Sequence, residues 1–265
     1  TCALPISASI GGRSAYAPLV MSYIMKRSAQ VRKQIDPVDV DKVVPDTQRK
    51  VGLIHRWTFS DEKSPLYDDI GGVTLKNGNG VKFADGQAIF DGSSRSFLYS
   101  MDPRINSECF SGKKEFTVWV RFEVDEYRGD EIIRLVRRNL KGNYSNTTFG
   151  ITIGNQSLSA AIVSGSQATG TPAGVTFSDK EPNVAAISFS SSLLRNYGNG
   201  VERIRELEDI SINDVGVFTV GGFVNYDSDM AFSQVFIGRI DEIRIYDKLL
   251  TLEELNSIEA VTIMK

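Results

Sequence analysis

The chain has 265 residues, a formal net charge of −3, 41% hydrophobic and 24% charged residues, which is enough apolar material for a real core under an ordinary solvated surface. From Val51 onward the basic residues are interleaved with acidic ones, so there is no electrostatic footprint for nucleic acid, and no run of about 18 apolar residues is available to cross a bilayer as a helix. The two cysteines, Cys2 and Cys109, exclude a disulfide framework and a zinc site built on thiolates.

Thr1-Cys2-Ala3-Leu4-Pro5-Ile6 reads as the translation of a common sequencing-library adapter, an assembly artefact. A missing start Met or signal peptide is then uninformative about export. Ala17 to Gln34, with Pro18 at a first helical position and a basic C-terminal end, predicts a helix. Ile35 to Lys50 alternates small apolar and acidic residues between Pro37 and Pro45, the pattern of an extended linker. The domain boundary therefore falls near Lys50: residues 1–50 form a leading segment, the end of an upstream domain or a lead-in, and 51–265 form one domain.

Past that boundary the period becomes two. Leu53, His55, Trp57 and Phe59 alternate with Ile54, Arg56, Thr58 and Ser60, and Phe116, Val118, Val120 and Phe122 alternate with Thr117, Trp119, Arg121 and Glu123, as strands with one buried face do. Further β-branched or aromatic runs, from QAIFDGS to FIGRIDEIRIY, are bounded by Gly, Asn, Asp or Ser. In all, roughly ten strands are predicted, the count of a sandwich. Ser190 to Asn213 breaks the rhythm and reads as an extended loop or insertion with a short helix. Thr251-Leu252-Glu253-Glu254 is a capping box, so a helix of one or two turns is expected after the last strand.

Three segments stand in an order that resembles a known family. These are LIHRWTFSDEKSPLYDDIGGVTL (Leu53–Leu75), AIFDGSSRSFLYS (Ala88–Ser100) and IGRIDEIRIYDKLLTLEEL (Ile237–Leu255). Together with FTVWVRF and the Tyr-x-Asn-Gly of ISFSSSLLRNYGNG, they resemble the laminin-G-like domains of bacterial surface proteins, in the concanavalin A-like lectin/glucanase superfamily. One departure is Glu181-Pro182-Asn183-Val184-Ala185, which stands where the family carries Trp-x-His-Val-Ala. The resemblance implies an all-β, concanavalin A-like jelly-roll sandwich of two antiparallel sheets with a short C-terminal helix. It further implies a noncatalytic, extracellular or cell-surface binding module of a multidomain protein, with a glycan or glycoconjugate as partner. A structural or protein-adhesion domain is the alternative, and a glycoside hydrolase the third reading. By the same resemblance a structural Ca²⁺ would be held by Asp241 with Asp61 or the Asp68-Asp69 pair, completed by loop carbonyls.

Glycan binding needs aromatic platforms and planar polar groups. Trp119 falls on the face opposite Val118 and Val120, with Thr117 and Arg121, and the polarity of those neighbours predicts a solvent-facing surface. Tyr127, Tyr144 and Tyr226 fall in predicted loops. The nearest match to a paired-carboxylate hydrolase motif is Glu123-Val124-Asp125-Glu126-Tyr127-Arg128, whose third acid is replaced by Arg128, so no catalytic residue is assigned. His55, the single histidine, shares a face with Leu53, Trp57 and Phe59 and reads as a core or sheet-edge residue. Asn225 to Asp229 reads as a polar hairpin tip.

Overall fold

The computed structural model describes residues 52–263, apart from 107, 113–114, 128–132, 141–146, 155–156, 165–166, 213–215, 223, 226–229 and 232–234. The predicted leading helix and linker, Tyr144 and Tyr226 lie outside the described residues. In chain order the strands are β1 (Leu53–Trp57), β2 (Lys76–Asn77), β3 (Lys82–Ala84), β4 (Gln87–Asp91), β5 (Leu98–Ser100), β6 (Glu115–Val124), β7 (Ile133–Leu140), β8 (Thr147–Gly154), β9 (Ser157–Ser164) and β10 (Gln167–Gly170). They continue as β11 (Val175–Thr176), β12 (Pro182–Ser190), β13 (Leu193–Gly198), β14 (Val201–Glu206), β15 (Gly216–Val220), β16 (Val224–Asn225), β17 (Met230–Ala231) and β18 (Ile237–Tyr246). Helix α1 (Pro103–Asn106) lies between β5 and β6, and α2 (Leu252–Ile263) follows β18.

Two eight-stranded sheets result. The first runs β14-β13-β12-β6-β18-β4-β3 with β1 also paired to β18; the second runs β10-β9-β8-β7-β15-β5-β2 with β11 on β9. This is the two-sheet sandwich that the period-two runs predict, and the jelly roll that the family resemblance implies. Its core is the inner faces of both sheets. Phe116, Val118, Val120 and Phe122 from β6 form one buried cluster with Phe149, Ile151 and Ile153 from β8 and Leu158, Ala160 and Ile162 from β9. The rings of Phe116 and Phe149 meet across the sheets at 5.0 Å, a tilted contact that adds to simple area burial.

The segment read as a loop or insertion is instead a hairpin. β13 and β14 pair antiparallel through Gly198↔Val201, joined by Asn199 and Gly200 at φ +48° and +80°. Two successive left-handed residues match the twist of the flanking strands, and Asn-Gly is the dipeptide that adopts them most easily. The closing helix is also longer than the one or two turns expected: α2 has 12 residues, about three turns. Its start is as predicted, with the Glu254 amide donating to Thr251 Oγ1 (3.2 Å) and the Thr251 amide to Glu254 Oε2 (2.8 Å).

Helix α2 has somewhere to pack because the first sheet is apolar on part of its outer face as well. Leu250, Leu252, Leu255 and Ile258 meet Leu53, Trp119, Val184, Ala186, Tyr197 and Tyr246 in a second cluster. That helix covers one end of the face and leaves the other end open.

Candidate functional site

The open end of the first sheet's outer face is a plane of charged and amide side chains. On β6 the outward positions after Trp119 are Arg121 and Glu123, with Asp125 just beyond the strand, because successive side chains alternate and Phe122 and Val124 point into the core. Arg239 of β18 stands opposite Glu123 and also opposite Ile89 of β4. Ile89 in turn pairs with Lys82 of β3, and Glu123 with Pro182 of β12. One register row, Pro182, Glu123, Arg239, Ile89 and Lys82, therefore crosses five strands.

A bulge sets the second row. The pairing of β18 with β6 shifts between Ile240 and Glu242, which leaves Asp241 as the extra residue and turns two successive acids toward the same face. Asp241 Oδ1 accepts from Gln87 Nε2 at 2.5 Å, and Asp241 Oδ2 lies 3.5 Å from Arg121 Nε. Glu242 goes the other way: its Oε1 accepts from Arg56 Nε at 2.6 Å and Arg244 Nε at 2.8 Å. Burial alone would raise the pKa of Glu242, but the guanidinium groups of Arg244 and Arg56 outweigh it and hold the carboxyl below its ordinary range.

Arg239 is the hinge of the open patch. Its Nη1 donates to Glu123 Oε1 at 3.0 Å, and its Nη2 lies 3.2 Å from Asp125 Oδ1. The side chains of Arg239, Asp125 and Glu123 remain 38%, 33% and 19% exposed, and those of Arg121 and Asp241 are 22% exposed each. The result is a set of planar donors and acceptors fixed by one another, carried on strands, and reachable from solvent. Both carboxylates of the predicted Glu123–Asp125 pair are drawn to one cation on an open sheet surface. They do not face one another across a cleft as the acid and nucleophile of a glycosidase do.

The aromatic platform expected at Trp119 is not on this surface. Trp119 is fully buried, as is Thr117, because α2 covers the end of the face they occupy. Arg244 lies over the indole ring, 4.9 Å from its centroid. Thr117 Oγ1 donates into the chain leading to α2, at Lys248 O, 2.9 Å. Tyr127 turns inward as well: its ring meets Phe177 edge to face at 5.8 Å and packs against the main core. Of the predicted ligand residues the structure describes, Arg121 alone joins the patch. The bulge brings Asp241, expected as a metal ligand, to the same place.

Around the expected Ca²⁺ position, Asp241 with Asp61 or the Asp68-Asp69 pair, the acids are engaged in other contacts. Among the described residues no three of His, Cys, Asp and Glu come together in a way that would hold a metal. Asp68 is fully buried and spent on the protein itself. Its Oδ2 takes His55 Nδ1 at 2.5 Å and the Gly71 amide at 3.0 Å, while its Oδ1 takes the amides of Arg56 (2.8 Å) and Ile70 (2.9 Å). Asp61 Oδ1 accepts from the Lys63 amide in its own turn. Asp69 lies 3.6 Å from Arg56, with its pKa raised chiefly by burial. These oxygens do not fit a hard cation that needs six to eight free ligands. His55, stacked on Trp57 at 5.6 Å, is the buried, satisfied residue that its strand face implies.

Sequence reasoning missed Gln87, Arg239 and the bulge. The two residues were visible as outward positions of strands, but a bulge is a register event and leaves no fixed residue signature.

The two facing antiparallel sheets define a concanavalin A-like β-sandwich. The chain belongs to the concanavalin A-like lectin/glucanases superfamily, whose laminin-G family model matches residues 103–256. No curated protein sequence matches it. Among solved structures it is similar to the binding domain of botulinum neurotoxin serotype G, at 12% identity and TM-score 0.61, covering 79% of this chain and 51% of that one. It is likewise similar to the binding domain of botulinum neurotoxin DC in complex with SialylT, at 13% identity and TM-score 0.56, covering 78% and 50%. Trypanosoma rangeli sialidase is similar at 14% identity and TM-score 0.59, covering 89% and 37%. At these identities the likeness is one of fold, and the chain spans only about half of the neurotoxin domains and about a third of the sialidase, by the coverages of 51% and 37%. Among the described residues no helix is long and apolar enough to cross a membrane.

Proposed function

We propose that this domain is a noncatalytic module that binds a carbohydrate on the open end of its first sheet, outside the cell or at its surface, as part of a longer protein. The observation that carries the reading is a pair of braced clusters on adjacent strands, Gln87–Asp241–Arg121 and Glu123–Arg239–Asp125. Sugar hydroxyls are met by donors and acceptors presented together in fixed directions, and strands hold such directions better than loops. Ile89 in the same row offers a flat aliphatic surface to the C–H face of a ring. The likeness to a neurotoxin binding domain held with SialylT supports the ligand class without naming the glycan.

The test is a glycan array probed with the full chain and with Arg239→Ala. Binding of one or a few glycans that falls at least about tenfold in Arg239→Ala, the loss of roughly one charged hydrogen-bond network, is the expected result. Binding that survives the substitution would move the site elsewhere. No glycan bound at all would favour the protein-adhesion reading.

A further inference from the structure

The open end of the first sheet carries more acid than base. Its outward charges among the described residues are Lys82, Arg121 and Arg239 against Asp91, Glu123, Asp125 and Asp241. The segment bridged to Val124 at Asp179 borders this end. Together with Glu126 it adds Asp179 and Glu181 against Lys180, all of them exposed. The adjoining cluster of Arg56, Asp69, Glu242 and Arg244 is balanced.

The guanidinium groups of the open end already face carboxylates. Arg239 lies between Glu123 and Asp125, and Arg121 lies 3.5 Å from Asp241 Oδ2. Among the described residues Lys82 is the one cation of this end without an ion pair, and it stands on the outermost strand, beyond Ile89. An anion arriving at Arg239 would therefore meet a cation whose charge is offset twice over, with Asp241 close by. Bringing like charges together is disfavoured, and it is a means of turning a ligand away.

What the cluster offers instead is acceptors. An ionised carboxylate has about four lone-pair sites, and among the described residues the carboxylates of Glu123 and Asp125 meet Arg239 alone. A sugar hydroxyl donates one hydrogen bond and accepts others. Two neighbouring hydroxyls on a ring can each donate to one of these carboxylates while accepting from the guanidinium, and the charged partners strengthen both bonds. A carboxylate or sulfate group has no proton to give to Glu123 or Asp125.

We infer that, on the reading that carbohydrate binds at this end, the ligand is an uncharged sugar with two adjacent ring hydroxyls. Glu123, Arg239 and Asp125 hold that pair, and the same acids exclude anionic glycans.

The experiment measures binding of the full chain to immobilised polysaccharides over a range of salt. Dextran, galactomannan and amylose are neutral and carry adjacent hydroxyls. Curdlan is neutral, but its linkage leaves the internal rings no adjacent pair. Polygalacturonate and dextran sulfate are anionic. The expected result is binding to at least one of the first three with little dependence on salt, about tenfold weaker binding to curdlan, and none to either anionic polymer. Glu123→Gln/Asp125→Asn should weaken neutral binding about tenfold and let dextran sulfate bind in a salt-sensitive way. Asp125 lies beyond the end of β6 with its side chain 33% exposed, so Asp125→Asn, with a severalfold change in the same directions, decides the matter if the double variant fails to fold. Equal binding to curdlan, neutral binding unchanged in both variants, or wild-type binding to an anionic polymer as tight as to the neutral ones would each overturn the inference. In the last case a loss of that binding in Arg239→Ala would leave the carbohydrate reading standing, whereas no polymer bound at all would remove both.

Discussion

The Arg244 guanidinium lies over the Trp119 ring, 4.9 Å from its centroid, on a sheet face that helix α2 closes off. The pair thus ties β18 to β6 on the face against which the helix packs. Truncating Trp119→Ala removes a large, fully buried ring and should cost about 3–5 kcal/mol, read by urea unfolding. The same variant, where still folded, should bind glycan as the wild type does. A loss of binding without a loss of stability would return Trp119 to the ligand site.

Asp68 is the acceptor for four donors, His55 Nδ1 and the amides of Arg56, Ile70 and Gly71. Asp68→Ala leaves all four without that partner in a buried place and should destabilise by about 3 kcal/mol or more. If those oxygens hold the protein and no ion, EDTA and added CaCl2 should leave the melting temperature of the wild type unchanged. A rise of several degrees with calcium would show an ion site built on other oxygens.

Glu242 sets an acid limit. The paired guanidinium groups keep its folded-state pKa below the unfolded one, so its contribution is fully present above the unfolded value, about 4.3. That contribution is lost as pH falls toward the folded value. Stability of the wild type should therefore drop from about pH 5 downward. In Glu242→Gln, less stable at neutral pH because Arg56 and Arg244 lose their carboxylate, the drop should be shallower. Parallel pH profiles for the two proteins would contradict this.

The capping box makes a smaller claim. Thr251→Ala removes the acceptor for the Glu254 amide and should cost about 1 kcal/mol, visible as a shift in the urea midpoint. A change under a few tenths would mean that α2 is held by its packing on Trp119 and Leu53 alone.

Much of the fold was legible. Alternation from Phe116 identified a strand with its correct inner residues, that from Leu53 identified a strand whose Trp57 is inner while a register shift sends Leu53 to the α2 cluster, and Thr251 to Glu254 announced α2. The outer faces were not legible, for a physical reason: a period of two says which residues share a face, and is silent on what covers it. Trp119 shares its face with Thr117 and Arg121, so it read as exposed, but α2 comes down on one end of that face and stops short of the other. Asn199-Gly200 was a hairpin signal in plain view, masked by the charges of Val201 to Glu206, which belong to an edge strand and are what an edge strand needs to stay unpaired. The bulge at Asp241 had no sequence signature, yet it decides that Asp241 meets Gln87 and Arg121 while Glu242 meets Arg56 and Arg244.

Whether sugar is bound where Arg239 joins Glu123 to Asp125 is tested most directly by amide chemical-shift mapping, titrating the labelled chain with the tightest oligosaccharide from the array. Shifts concentrated at Gln87, Ile89, Arg121, Glu123, Arg239 and Asp241, with those of the second sheet still, are the predicted result. Shifts gathered on other strands or loops, with these six unmoved at saturation, would contradict it.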